Sequence, residues 1–258
     1  MTDAIELGLD TFGDITLDAT GQPLSHAEVL RQVVAQAVLA DQVGLQFIGV
    51  GEHHRPDFAV SAPEVVLAAI AGQTSRIHLG SSVTVLSSDD PVRVYERFST
   101  LNALSNGRAE VIVGRGSFTE SFPLFGFDLA QYELLFEERL ELFAALLTEQ
   151  PVTWSGRTRS ALREQRVYPP IEPGSRLRVW AGVGGTPQSV VRAAHYQFPL
   201  MLAIIGGSPR RFTPYVDLFH RCSASSATRR CPLEPTRPAM WPPPMNRRVR
   251  SCGLTTRP

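Results

Sequence analysis

The sequence predicts an α/β protein in which helices cover a parallel sheet. Two observations carry this. Short β-rich runs alternate strictly with longer helical patterns through residues 1–221, giving six β/α units in succession. Apolar residues make up 43% of the 258-residue chain, enough to bury a large core. An open, doubly wound sheet and an eight-unit barrel both satisfy this alternation.

Each element has a local reason. A strand is predicted over 5–9. Ser25 caps a helix running to about residue 42, in which Val29, Leu30, Val33, Val34, Ala37 and Leu39 recur near helical spacing. A strand over 46–50 follows. The helix over 63–73 opens with Pro63, as first helical turns allow. Residues 77–86 read as one strand, apolar as a doubly covered strand should be. The helix over 91–105 closes at Asn106-Gly107. After a strand over 109–113 comes an amphipathic helix over 129–147, with Asp128 placed to cap it. Strands over 177–181 and 200–205 and helices over 187–196 and 209–221 complete the six units. A full (β/α)8 barrel of the TIM type takes about 250 residues. On the barrel reading, units seven and eight are absent, because the last 37 residues hold no strand–helix pair.

Charge and composition divide the chain at the same place. Basic and acidic residues balance at 25 each, so overall charge draws neither nucleic acid nor a membrane surface. No apolar run reaches the roughly 18 residues of a membrane span, and the N-terminus lacks a basic signal region; a soluble cytoplasmic protein is expected. All three cysteines lie beyond Arg221. Residues 222–258 hold seven arginines, seven prolines and one acid, Glu234, for a net +6; the rest, with 18 basic and 24 acidic groups, carries −6. The expected organisation is therefore an incomplete barrel over 1–221 and a Pro/Arg-rich tail over 222–258, disordered or translated out of frame. The frame reading comes from codon freedom: G/C-rich codons for residues 239–256, read one base out of register, encode an acidic helical peptide.

Four segments carry chemistry. Gly51-Glu52-His53-His54-Arg55 follows the second strand, where parallel barrels build active sites; its polar side chains suit substrate contact or proton movement. Adjacent histidines in an extended segment point to opposite sides, so a shared metal ion is not expected. Gly80-Ser81-Ser82-Val83 interrupts an apolar strand with hydroxyls and reads as buried strand or close-approach site. Gly114-Arg115-Gly116 ends a strand with a guanidinium and backbone N–H groups, fit for an anionic oxygen or for an ion pair with a loop acid. Gly184-Gly185-Thr186-Pro187 joins a strand to a helix N-terminus, which suits phosphate, although a plain βα turn has the same composition. The chain has no lysine, which excludes a P-loop or Schiff-base lysine.

Taken in order, Glu52-His53-His54, residues 79–86 with Pro91-Val92-Arg93, Leu104-Ser105-Asn106-Gly107-Arg108, Gly114-Arg115-Gly116 and Gly184-Gly185-Thr186-Pro187 resemble the bacterial luciferase-like flavin-dependent monooxygenases over about residues 4–221. The resemblance implies a luciferase-like (β/α)8 barrel with FMN at its C-terminal mouth, reduced flavin and O2 acting on a small organic substrate. It further implies a non-proline cis peptide at Ser82–Val83 against the flavin ring, with Ser81 beside it. Arg115, Gly184, Gly185 and Thr186 would hold the phosphate. Glu52, His53 and His54 would be catalytic; Asp10 and Thr11 are placed at the pocket by their position after strand one alone. A flavin reductase and a second copy, packed through the helices over 63–73 and 91–105, are the implied partners. Hydride transfer with deazaflavin F420 is the alternative within this fold. A vestigial flavin-binding protein and a metal-dependent barrel hydrolase are the readings from other classes.

Overall fold

The computed structural model describes residues 5–205, 207–226 and 250–252. The chain divides into two compact units, Met1–Arg178 and Val179–Pro258.

The first unit runs β1 (Gly8–Thr11), α1 (His26–Gln42), β2 (Phe47–Val50), α2 (Pro63–Ala71), β3 (His78–Ser81), β4 (Thr84–Val85), α3 (Pro91–Leu104), β5 (Ala109–Gly114), α4 (Ser121–Leu124), α5 (Tyr132–Leu146), β6 (Val152–Trp154) and β7 (Leu162–Gln165). Its main sheet is parallel throughout: Gly8 pairs with Phe47, Phe47 with His78, and Leu79 with Ala109, while β4 continues the edge with Thr84 opposite Val113. Strand order follows chain order. A doubly wound sheet would reverse direction at a switch point, so the sequential order favours the barrel type.

The helix starts are those the sequence encodes. Ser25 accepts from the Glu28 N–H at 3.3 Å, and the Glu28 carboxylate accepts from the Ser25 N–H at 2.9 Å, a complete capping box. Asp90 accepts from the Val92 N–H at 2.9 Å, with Pro91 in the first turn. Val29, Val33 and Ala37 of α1, Leu67 and Ile70 of α2, and Val94, Phe98 and Leu101 of α3 are buried. Helix α2 packs on β2 and β3 and α3 on β5, and β2 and β5 are buried along their whole length.

Three local features differ from the expectation. The single strand over 77–86 is split: β3 stops at Ser81, β4 is two residues long, and a 3-10 turn covers Leu86–Ser88. A hydroxyl enters the ladder there, Ser81 Oγ accepting the Ile112 N–H at 3.2 Å. The last helix of this unit opens as a 3-10 turn over Leu129–Gln131, capped by Asp128 through the Ala130 N–H at 2.9 Å. The antiparallel pair β6–β7 and the one-turn helix α4 are both too short to leave a periodic signal.

Two buried charges tie the strand starts to the helix ends. Arg108 uses all five guanidinium N–H groups: Nε donates to Ser105 O at 2.8 Å, Nη1 to Thr74 Oγ1 and Ile77 O at 2.9 Å each, and Nη2 to Ala71 O and Thr74 O at 3.1 and 3.0 Å. Asp41, at the end of α1, accepts from the N–H groups of Ile77, Arg76 and Ser75 at 2.7, 3.0 and 3.3 Å. Burial pushes its carboxyl up, but these donors and the Arg76 charge outweigh that, holding it below the ordinary carboxylate range. Its folded value lies below its unfolded one, so its stabilisation is full above the unfolded value of about 4 and is lost as pH falls through the folded value. Asp41→Asn is expected to cost about 2 kcal/mol at pH 7. Urea titrations at pH 7 and pH 3 should show that difference shrink at the lower pH; an equal difference at both would refute the assignment.

The second unit contains β8 (Arg178–Val183, its first residue closing the first unit), α6 (Pro187–His195), β9 (Leu200–Ala203), a 3-10 turn over Pro209–Phe212, α7 (Thr213–Ser226) and β10 (Arg250–Cys252). The strands again pair in parallel and in chain order, Ala181 with Leu200 and Met201 with Arg250. Val190, Ala193 and Ala194 of α6, Leu200 and Leu202 of β9, and Phe212 form its core, and α6 packs on α7. Of the tail expected over 222–258, residues 222–226 end α7 and residues 250–252 form β10; 227–249 and 253–258 lie outside the described residues. Among the described residues no helix is long and apolar enough to cross a membrane.

Candidate functional site

At the C-terminal ends of β1, β2 and β3 the backbones approach closely, and glycines permit it. A Cβ on Gly49 would stand 1.8 Å from Asp10 Oδ1, and one on Gly51 would stand 2.4 Å from both the Phe12 ring and Ser82 O. Gly51 then leads into Glu52-His53-His54. The two histidines diverge, as extended backbone requires.

His53 enters an aromatic cluster. Its ring centroid lies 4.4 Å from Phe58, 4.6 Å from Phe118 and 5.0 Å from Phe12, and the residue is 9% exposed. Its Nδ1 is 3.1 Å from Glu120 Oε1, and the same oxygen accepts from the His54 N–H at 3.5 Å. Burial pushes the Glu120 carboxyl up, but its own backbone N–H, His53 and the His54 N–H outweigh that, so it sits below the ordinary carboxylate range. Sequence reasoning missed Glu120. The one signal it carried was position, an acid between Phe118 and Phe122 in the loop that follows a strand end.

His54 turns the other way. Its Nε2 is 3.5 Å from Glu52 Oε1, and its ring meets Phe125 edge-on at 5.0 Å. Glu52 neighbours a charged group that the sequence also did not reveal. Arg97 pairs with Asp89 and places Nε 3.4 Å from Glu64 Oε1. Burial pushes both Glu64 and Asp89 above the ordinary carboxylate range; Arg97 offsets this in part, and the Glu52 charge adds to it.

Ser81 is fully buried, its Oγ accepting from Thr84 Oγ1 at 2.8 Å as well as from Ile112 N. Ser82 and Val83 are half-buried, and the bond between them is cis, where the resemblance implied it. Arg115, at the end of β5, pairs with Glu133 on α5 and lies 5.5 Å over the Tyr132 ring. Tyr132 Oη donates to Gly116 O at 2.8 Å, which fastens this strand end to α5. Thr11 Oγ1 accepts from the Gly13 N–H at 3.0 Å and so stabilises the turn after β1.

The second unit carries the glycine turn at the start of α6. No heavy atom lies within 4 Å of where a Gly184 Cβ would stand, and at Gly185 (φ +140°) the nearest is Tyr215 Oη at 3.8 Å. Thr186 is the N-cap, but its hydroxyl lies 2.8 Å from Ser189 Oγ and does not cap a helix N–H. An open backbone at a helix N-terminus without a side-chain cap matches what an anion needs. Among the described residues no group of three or more His, Cys, Asp or Glu side chains is placed to hold a metal ion.

Comparison with known proteins bears on what this arrangement serves. Residues 11–231 match the family model described as luciferase-like monooxygenase. The alkanal monooxygenase alpha chain of Photorhabdus luminescens is 28% identical over 139 residues, 54% of this chain and 38% of that one. The first curated relatives are matched over only 32–39% of their own length. Among solved structures, the FMN complex of the oxygenating constituent of 3,6-diketocamphane monooxygenase from the CAM plasmid of Pseudomonas putida superposes with a TM-score of 0.72 at 18% identity, over 86% of this chain and 63% of that one. An F420-dependent secondary alcohol dehydrogenase, complexed with an F420–acetone adduct, gives 0.67 at 19%, over 85% and 65%. At such identities the structures establish the TIM-barrel-type α/β fold, and the family model establishes the lineage. The chain belongs to the luciferase-like monooxygenase family.

Proposed function

We propose that this chain serves as an FMN-dependent monooxygenase acting on a small organic substrate. The observation that carries the reading is the paired histidines at the end of β2, each with its own carboxylate, in a chain of this family. When bound, FMN supplies the redox chemistry, in its reduced form with O2. The chain's residues do the rest. Phe12, Phe58 and Phe118 keep water from the His53 ring, and His53 and His54 hold or move protons at the strand ends. Glu52 places negative charge 3.5 Å from His54 Nε2. Ser81, Ser82 and Val83 would give the flavin ring its backbone support. Gly184, Gly185 and Thr186 would offer backbone N–H groups to the phosphate, at a helix N-terminus that no side chain caps. A flavin reductase is the proposed source of reduced FMN, and a second copy the proposed partner for α2 and α3, which expose Val65 and Leu104.

The similarity to an F420-dependent dehydrogenase supports a second reading, hydride transfer with F420. Visible spectra decide between them. Purified chain is mixed with FMN or F420 and desalted. Retention of FMN, with one oxygen atom from O2 appearing in a product when reduced FMN and candidate substrates are supplied, is the expected outcome. Retention of F420 alone would shift the reading to hydride transfer, and loss of both would overturn it.

A further inference from the structure

We propose that Glu120 is a positioning residue: its carboxylate holds His53 as the Nδ1–H tautomer, so that Nε2 is the nitrogen presented at the strand ends. The proposal rests on the reading that His53 works beside a bound flavin, but its geometry stands without one. Glu120 Oε1 lies 3.1 Å from Nδ1. A carboxylate only accepts, so Nδ1 must carry the hydrogen, and Nε2 of the neutral ring must carry the lone pair. Glu120 stays ionised for the reasons given above. Three aromatic rings 4.4–5.0 Å from the imidazole fix its plane, so it does not flip to exchange its nitrogens. The His54 N–H, 3.5 Å from the same Glu120 oxygen, ties the carboxylate to the backbone beside the ring it orients. Orientation of a working imidazole by a carboxylate on its second nitrogen recurs in acid–base and metal sites, and here the carboxylate comes from a loop 67 residues downstream.

The test is the tautomer itself, read in the whole chain by long-range 1H–15N correlation of histidine side chains at about pH 9, where imidazoles are neutral. The His53 signal is assigned by its loss in His53→Gln. Wild type is expected to show Nδ1 as the protonated nitrogen. In Glu120→Gln, whose amide both donates and accepts, the tautomer ratio should move at least about tenfold toward Nε2–H. Glu120→Asp should restore part of the wild-type ratio, which a purely structural role for residue 120 would not do. A wild-type His53 that is mixed or protonated on Nε2 overturns the proposal without any variant, as does an unchanged ratio in Glu120→Gln. FMN retention is measured on the same samples. A chain that holds the Nδ1–H tautomer but never retains FMN keeps the role of Glu120 and refutes the flavin reading instead.

Discussion

Arg108→Met is expected to cost about 3–5 kcal/mol of folding free energy. Methionine keeps the volume and removes every donor. The carbonyls of Ala71, Thr74, Ile77 and Ser105 and the Thr74 hydroxyl would then lose their guanidinium partner together, within a packed interior. Each buried acceptor left without a donor costs about 1–3 kcal/mol, and relaxation recovers only part of the sum. Arg108→Lys keeps the charge but offers three donors on a flexible stem, so an intermediate loss is expected. Urea unfolding followed by circular dichroism measures both. A methionine variant within about 1 kcal/mol of wild type would mean that water replaces the lost bonds.

Gly51→Ala should follow, at about 3 kcal/mol, with loss of FMN retention as a second effect. The added methyl would stand 2.4 Å from Ser82 O, a backbone atom that cannot rotate away, and 2.4 Å from the Phe12 ring. Either the start of the turn after β3 shifts or Phe12 does, and Phe12 packs against His53 at 5.0 Å. Gly72→Ala is the control. Gly72 caps α2 with φ −71°, and a Cβ there meets nothing nearer than 3.9 Å. Equal stability of the two variants would show that the close approach at Gly51 is not real.

What was legible in the sequence was what neighbours in sequence decide. Ser25 with Glu28, Pro63, and Asp90 with Pro91 set their helices locally, so those elements and their order could be read directly. The segment Glu52-His53-His54 was legible for the same reason, since all its chemistry sits in three consecutive residues. Glu120 was not, because its meaning depends on a partner 67 positions away. Arg97 with Asp89 and Glu64 was hidden likewise: on the page these are charges on separate helices and turns, and only packing makes them one group. Arg115 carried two readings, anion ligand or ion pair, and Glu133 on α5 is what it meets. The split of the third strand at Ser82 escaped because β-prone Val83, Thr84 and Val85 resume directly after Gly80-Ser81-Ser82, so the run reads as one strand.

Arg108 and the histidines lie at opposite ends of the same parallel layer. Arg108 stands just before β5, the six-residue strand that Glu120 follows, so the two are separated by about 20 Å of rigid strand. Substitutions at one end should therefore add to those at the other without coupling. For a lineage, this means that exit-loop positions other than Gly51 can change and try new partners for the histidines while the hold of Arg108 on the strand starts is left intact. For an engineer, it means that a stabilised base and a rewritten mouth can be made separately and joined afterwards.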